Sequence, residues 1–184
     1  MSYRVFSWYT PSYSQYAERL EYSLRLLHLP YYLRAVKSLG DWELNVRQMG
    51  RYIHEGLTGY SGDMLYVDVD CEFRYRPAMF DYWPGHDIGI HKLYNDHYMN
   101  GTVYYSNNAR VRAMVQEMAA LLQSGSELLD QRLLMELIPK HGLTVCPLPP
   151  EYCCIQDSMR YKFPGIVPII LHKQASRMMR MGYA

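Results

Sequence analysis

Met64-Leu-Tyr-Val-Asp-Val-Asp70 is the stretch from which the rest of the chain can be read. Apolar side chains alternate with polar ones at period two and the run then stops, which predicts a strand entering a loop. Asp68 and Asp70 stand two apart, so on a strand they share a face at its C-terminal end. Two carboxylates leaving one strand on one side make a site for a hard cation. In open α/β sheets, ligands gather beyond the carboxyl ends of the strands. Aspartates also end strands simply as turn formers, so the pair has to be weighed against the rest of the sequence.

Before this stretch the pattern is β-α-β. Residues 3–8 form a short apolar strand, and Tyr9-Thr-Pro-Ser-Tyr13 a turn. Ser14 is placed to cap a helix carrying Tyr16, Leu20, Leu24 and Leu27 at helical spacing. Residues 31–35 give a second strand after Pro30. Asp41 is placed to cap one helix with Trp42, Val46, Met49, Ile53 and Leu57 on a single stripe. After the stretch come a strand at 87–91, a polar loop at 95–100, a strand at 101–106 and helices at 109–123 and 128–138. A short strand follows at 144–148, then an irregular run at 151–164. A last strand spans 166–172, where Pro168 demands an edge or a bulge. Alternating strands and helices predict an α/β fold in a single domain over residues 1–184, with a mainly parallel sheet.

Composition narrows the function classes. The chain has 184 residues, 49% apolar and 20% charged, enough for one sizeable core. A net charge of +1 gives no electrostatic case for a nucleic-acid or membrane partner. No apolar run reaches the ~18 residues a membrane helix needs. Cys71, Cys146, Cys153 and Cys154 form no Cys-x-x-Cys pair, so they read as reduced thiols of a cytoplasmic protein without a signal peptide. The 19 tyrosines suit stacking on planar or sugar groups, or half-buried packing with wet hydroxyls.

Eight pieces in order resemble the metal-dependent nucleotide-diphospho-sugar glycosyltransferases of the GT-A (Rossmann-like) fold. They are Trp42-Glu-Leu-Asn45; Leu65-Tyr-Val-Asp-Val-Asp70; Pro77 with Phe80-Asp81; and Asp87-Ile-Gly-Ile-His91. Then come Asn100-Gly-Thr-Val-Tyr-Tyr105; Asp130-Gln131; Leu148-Pro-Pro-Glu-Tyr152; and His172-Lys-Gln-Ala-Ser-Arg177. The resemblance implies a mixed, mainly parallel sheet flanked by helices and transfer of a sugar from a nucleotide-diphosphate donor, UDP-sugar first. It implies Asp68, Asp70 and His172 as ligands of Mn²⁺ (or Mg²⁺). Carboxylates with one imidazole favour manganese, since magnesium rarely takes nitrogen. Without the resemblance, His172 reads as a strand-end histidine bonded to a backbone carbonyl.

The resemblance further implies donor contacts from Tyr9, Thr10 and Tyr13 to base and ribose, and from Arg177 and Lys173 to the diphosphate. Asp87, Thr102 and Asn107 would meet the sugar or acceptor. Asp130 and Gln131 match the pair that retaining relatives place under the anomeric carbon, by analogy with glycoside hydrolysis. Asp157, Glu151 and His91 are the spare candidates for an acceptor base in an inverting enzyme. Relatives carry a lysine where this chain has Met49, which leaves Arg47 or Arg51 to take over that contact. The acceptor is left open among a surface glycan, a protein and a modified phage DNA base. A nucleotidyltransferase on a similar fold is the alternative, but it usually shows a Gly-rich basic loop after the first strand. A non-catalytic sugar-nucleotide module is the other.

Overall fold

The computed structural model describes residues 3–93, 97–156, 159 and 162–175. The chain opens with β1 (Tyr3–Tyr9), α1 (Ser14–Leu26) and β2 (Tyr31–Ala35), followed by α2 (Trp42–Val46), α3 (Met49–Thr58) and β3 (Asp63–Val67). Next come β4 (Cys71–Phe73), β5 (Ile88–Lys92), β6 (Tyr98–Tyr105), α4 (Ala109–Gln123) and α5 (Asp130–Lys140). It closes with β7 (Val145–Pro147), β8 (Cys154–Ile155) and β9 (Ile170–His172). Among these residues no helix is long and apolar enough to cross a membrane.

Six strands form one mixed sheet in the order β2-β1-β3-β6-β5-β7. β2, β1 and β3 run parallel, β6 runs against both its neighbours, and β7 runs parallel to β5. Five strands therefore point one way. Alternation along β3 divides the core: Met64 and Tyr66 face α3, α4 and α5, while Leu65 and Val67 face α1 and a second small sheet. Against the first face α3 lies so close to α4 that a Cβ on Gly50 would stand 2.8 Å from the Ala119 backbone.

The second sheet, β4-β9-β8, is absent from the sequence reading. β4 is too short to show a period. β9 is shorter than the expected strand, leaving Pro168 outside, and pairs on both sides rather than at an edge. Other differences are local. The helix expected from Asp41 to Leu57 is two helices. Asp41 does cap α2, accepting from the Leu44 amide at 3.1 Å, but a turn at Arg47-Gln48 separates it from α3. Tyr98 to Asn100 belong to β6 rather than to a loop, and residues 95 and 96 lie outside the described residues. Tyr13, not Ser14, stands at the N-cap of α1, because the short 3-10 turn Pro11–Tyr13 runs straight into it.

Candidate metal centre and donor cleft

β3 ends at Val67, so Asp68 and Asp70 are not on the strand. They sit in the tight turn joining β3 to β4, closed by the Cys71 amide donating to the Asp68 carbonyl at 3.1 Å. Asp68 keeps the strand's alternation and shares the face of Tyr66. Asp70 is swung round by the turn. The turn also carries the chain from one sheet into the other, where Cys71 pairs with His172 across β4 and β9. That register brings His172 to the two aspartates, and one ligand atom of each residue lies within 4.8 Å of the others.

Each of the three side chains is tethered at one atom and free at another. Asp68 Oδ1 accepts from the Tyr66 hydroxyl at 2.9 Å. Asp70 Oδ2 accepts from the Ala175 amide at 2.7 Å. His172 Nε2 is bonded to Thr102 Oγ1 at 2.8 Å, and its Nδ1 stands 4.0 Å from Asp70 Oδ1. A ring that donates Nε2–H to Thr102 keeps the Nδ1 lone pair for a cation. Burial pushes the Asp68 carboxyl up to about 8, helped by the neighbouring Asp70 charge and opposed by the Tyr66 hydrogen bond. Burial also lowers His172, against the pull of Asp70, which favours the neutral imidazole.

Gly101 tests whether an ion fits. It lies inside β6, where a glycine weakens a strand. A Cβ there would stand 3.1 Å from Asp68 Oδ2 and 3.2 Å from His172 Nδ1. The missing side chain leaves the space between the two free ligand atoms open. Two carboxylates and one imidazole suit a divalent cation, Mn²⁺ better than Mg²⁺ because of the nitrogen ligand. Gly101→Ala puts a methyl against Asp68 Oδ2 and the His172 ring, which must shift by a few tenths of an ångström. The variant is expected to stay folded but to weaken Mn²⁺ binding by roughly 10–100-fold, the range of an outer-shell change. Calorimetric titration of the folded variant checks this; wild-type affinity would count against a cation held there.

Asp68 and Asp70 line a cleft of about 800 Å³ at the C-terminal ends of β1 and β3, with His172 behind them. Tyr9, Thr10, Ser12 and Tyr13 form one wall. Trp42, Asn45 and Met49 of α2 and α3 form another, and Asn100 lies on the floor. Asp130 and Gln131, the first residues of α5, close the far side. Asn100 donates to Asp130 through its side-chain amide. Burial raises the Asp130 carboxyl to about 6, although backbone amides of the helix start and Asn100 hold it down in part.

No family model matches the chain, and no curated protein does either. Solved structures do. A glycosyltransferase involved in the glycosylation of the major capsid of PBCV-1 superposes with a TM-score of 0.75 over 100% of both chains, at 12% identity. The glycosyltransferase GlyE of Streptococcus pneumoniae TIGR4 gives 0.67 at 15% identity, over 94% of this chain and 54% of that one. The galactosyltransferase LgtC, in complex with donor and acceptor sugar analogs, gives 0.57 at 12% identity, over 92% and 86%. The fold is GT-A.

The direction of β6 sorts the remaining predicted residues of this GT-A chain. Because β6 is antiparallel, its first residues lie at the cleft and its last at the opposite end of the sheet. Asn107 follows β6 and therefore sits far from the cleft, donating to the carbonyls of Leu57, Tyr60 and Gly62. Asp87 precedes β5 and lies at the same far end. Its buried carboxylate accepts from Asn108, from Arg110, and from the amide and hydroxyl of Thr144. Thr102 is fully buried and holds His172 rather than facing the cleft.

The basic candidates are engaged elsewhere. Arg47 binds Glu43 at 2.6 Å and the Ser126 carbonyl at 2.8 Å, pinning α2 to the α4–α5 connection. Arg51 pairs with Glu55, and Lys173 with Glu72 at 2.8 Å. Arg177 and Asp157 lie outside the described residues. His91 is buried with Nδ1 on the Leu148 carbonyl at 2.8 Å, and Glu151 does not line the cleft.

Polar cleft residues that the sequence reading did not assign to the site include Tyr66, Asn100, Glu127 and Arg132. Gly101 was likewise not assigned, although it lies against Asp68 and His172. Arg132 is the one Lys or Arg among the described lining residues.

Asp87 has a structural consequence. Burial alone would raise its carboxyl, but the Thr144 amide and hydroxyl, Asn108 and Arg110 outweigh burial and hold it below the ordinary range. A carboxyl lowered on folding stabilises the protein above its unfolded-state value, and loses that contribution as pH falls through the folded one. Asp87→Asn is expected to cost about 2–4 kcal/mol, because an amide then faces donors inside the fold. That lowers the melting temperature by roughly 5–15 °C at neutral pH, with a smaller difference in acid. Calorimetric melts at both pH values check it.

Proposed function

We propose that the chain is a metal-dependent glycosyltransferase that moves a sugar from a nucleoside-diphosphate donor, UDP-sugar first, to an acceptor hydroxyl with retention of anomeric configuration. The observation that carries the reading is the convergence of Asp68, Asp70 and His172 on the space left by Gly101, at the head of a cleft of about 800 Å³ in a GT-A fold. Mn²⁺ or Mg²⁺, when bound there, neutralises the diphosphate and acts as a Lewis acid on its oxygens.

The protein's own residues do the rest. Tyr9, Thr10 and Tyr13 offer an aromatic and hydroxyl surface for base and ribose. Arg132 gives the cleft a guanidinium for the diphosphate, the contact that the resemblance assigned to Arg177 or Lys173. Asp130 and Gln131 lie under the sugar, where an ionised carboxylate stabilises positive charge developing at the anomeric carbon. Asn100 holds Asp130 in place through its hydrogen bond. Asp87, Asn107 and Thr102 are framework residues in this reading, Arg47 pins α2 to the α4–α5 connection, and Arg51 pairs with Glu55 within α3.

The test is a panel of nucleotide sugars scored for Mn²⁺-dependent release of UDP or GDP. Release from one sugar that stops in chelator supports the reading. Nucleotide-sugar binding without turnover across the panel and a range of acceptors would leave a binding module instead.

A further inference from the structure

Tyr66 belongs to two environments. Its ring is 3% exposed and packs in the core between the sheet and α3, α4 and α5, with the Phe6 ring 6.5 Å away. Its hydroxyl emerges at the floor of the cleft and donates to Asp68 Oδ1 at 2.9 Å. A phenylalanine would fill the same core volume, whereas a buried hydroxyl costs free energy unless it is bonded. The bond to Asp68 is what the hydroxyl contributes.

The carboxylate torsion of an aspartate is broad and two-fold, so an untethered Asp68 would sample several settings. The tyrosine removes that freedom, because its own ring is fixed by packing. With Oδ1 held, Oδ2 is left beside Gly101 and His172 Nδ1. We propose that Tyr66 is a positioning residue of the metal centre: its hydroxyl holds Asp68 Oδ1 so that Oδ2 is the atom presented to a divalent cation. This rests on the reading of Asp68, Asp70 and His172 as metal ligands.

The experiment is a calorimetric titration of Mn²⁺ into the nucleotide-free protein, comparing wild type with Tyr66→Phe and Asp68→Asn. Tyr66→Phe is expected to weaken Mn²⁺ by about 10–100-fold, the size of an outer-shell loss. Its melting temperature in chelator should move by no more than about 5 °C, since one hydrogen bond is removed and the ring is kept. A folded Tyr66→Phe protein with wild-type affinity, beside an Asp68→Asn protein that has lost it, overturns the role of Tyr66 and leaves the metal centre standing. Unchanged affinity in Asp68→Asn overturns both. Should Tyr66→Phe fail to fold, a crystal structure of the Mn²⁺-loaded wild type decides. Oδ2 on the ion with Oδ1 on Tyr66 supports the proposal, and Oδ1 on the ion overturns it.

Discussion

Asp68→Asn and Asp70→Asn are each expected to reduce Mn²⁺-dependent binding of UDP by well over the ~100-fold of an outer-shell change, since a ligand itself is lost. The protein should remain folded. Both side chains lie in the β3–β4 turn rather than in the apolar core, and an asparagine forms turns as readily as an aspartate. Asp68→Asn also relieves the repulsion between the neighbouring Asp68 and Asp70 carboxylates, so its melting temperature in chelator should not fall. The two variants differ in one respect. Asp70 Oδ2 accepts from the Ala175 amide, so an asparagine there can keep that bond only by pointing its carbonyl oxygen at it. Calorimetry with UDP, with and without Mn²⁺, measures both effects. Metal-dependent binding that survives in either folded variant would remove the metal centre from the proposal.

Asp130→Asn is expected to lower kcat by about 100–1,000-fold, the effect of removing one preorganised electrostatic group. KM for the donor should change little, because the charge is needed in the transition state more than in the ground state. The wild-type rate should decline as pH falls through about 6, where the Asp130 carboxyl takes up a proton and its negative charge is lost. The variant should show no such limb. Proton NMR of the product adds the stereochemical arm: an α-linked donor should give an α-linked product. A β-linked product would assign Asp130 another role and point to Glu127, the exposed carboxylate on the cleft wall, as an acceptor base.

The residues that could be read in advance share a physical property. Their signal is local. Alternation in β3, the 3.6-residue stripe of α4 and the turn around Pro11 depend on neighbours within a few positions. The two aspartates were visible because both stand in one short segment. Asp130-Gln131 was visible as the start of a helix, and the structure places it on the cleft.

What failed was any inference about which end of the sheet a loop occupies. Asp87 and Asn107 flank strands as plausibly as Asp68 does. The reversal of β6 and the starting end of β5 send them to the far side. Thr102 alternates like any strand residue, and only the pairing of sheets shows that it holds an imidazole.

The sequence by itself determined the α/β class, the first β-α-β unit and the pairing of carboxylates beyond β3, because short-range periodicity and turn chemistry specify local structure. The family resemblance named His172 as the third ligand, but only the tertiary structure shows how it reaches those carboxylates. About a hundred residues separate them, and the contact depends on a second sheet whose strands are two or three residues long. Strands so short carry no period of their own. Their register, and with it the third corner of the candidate metal centre, comes from long-range pairing of β4 with β9.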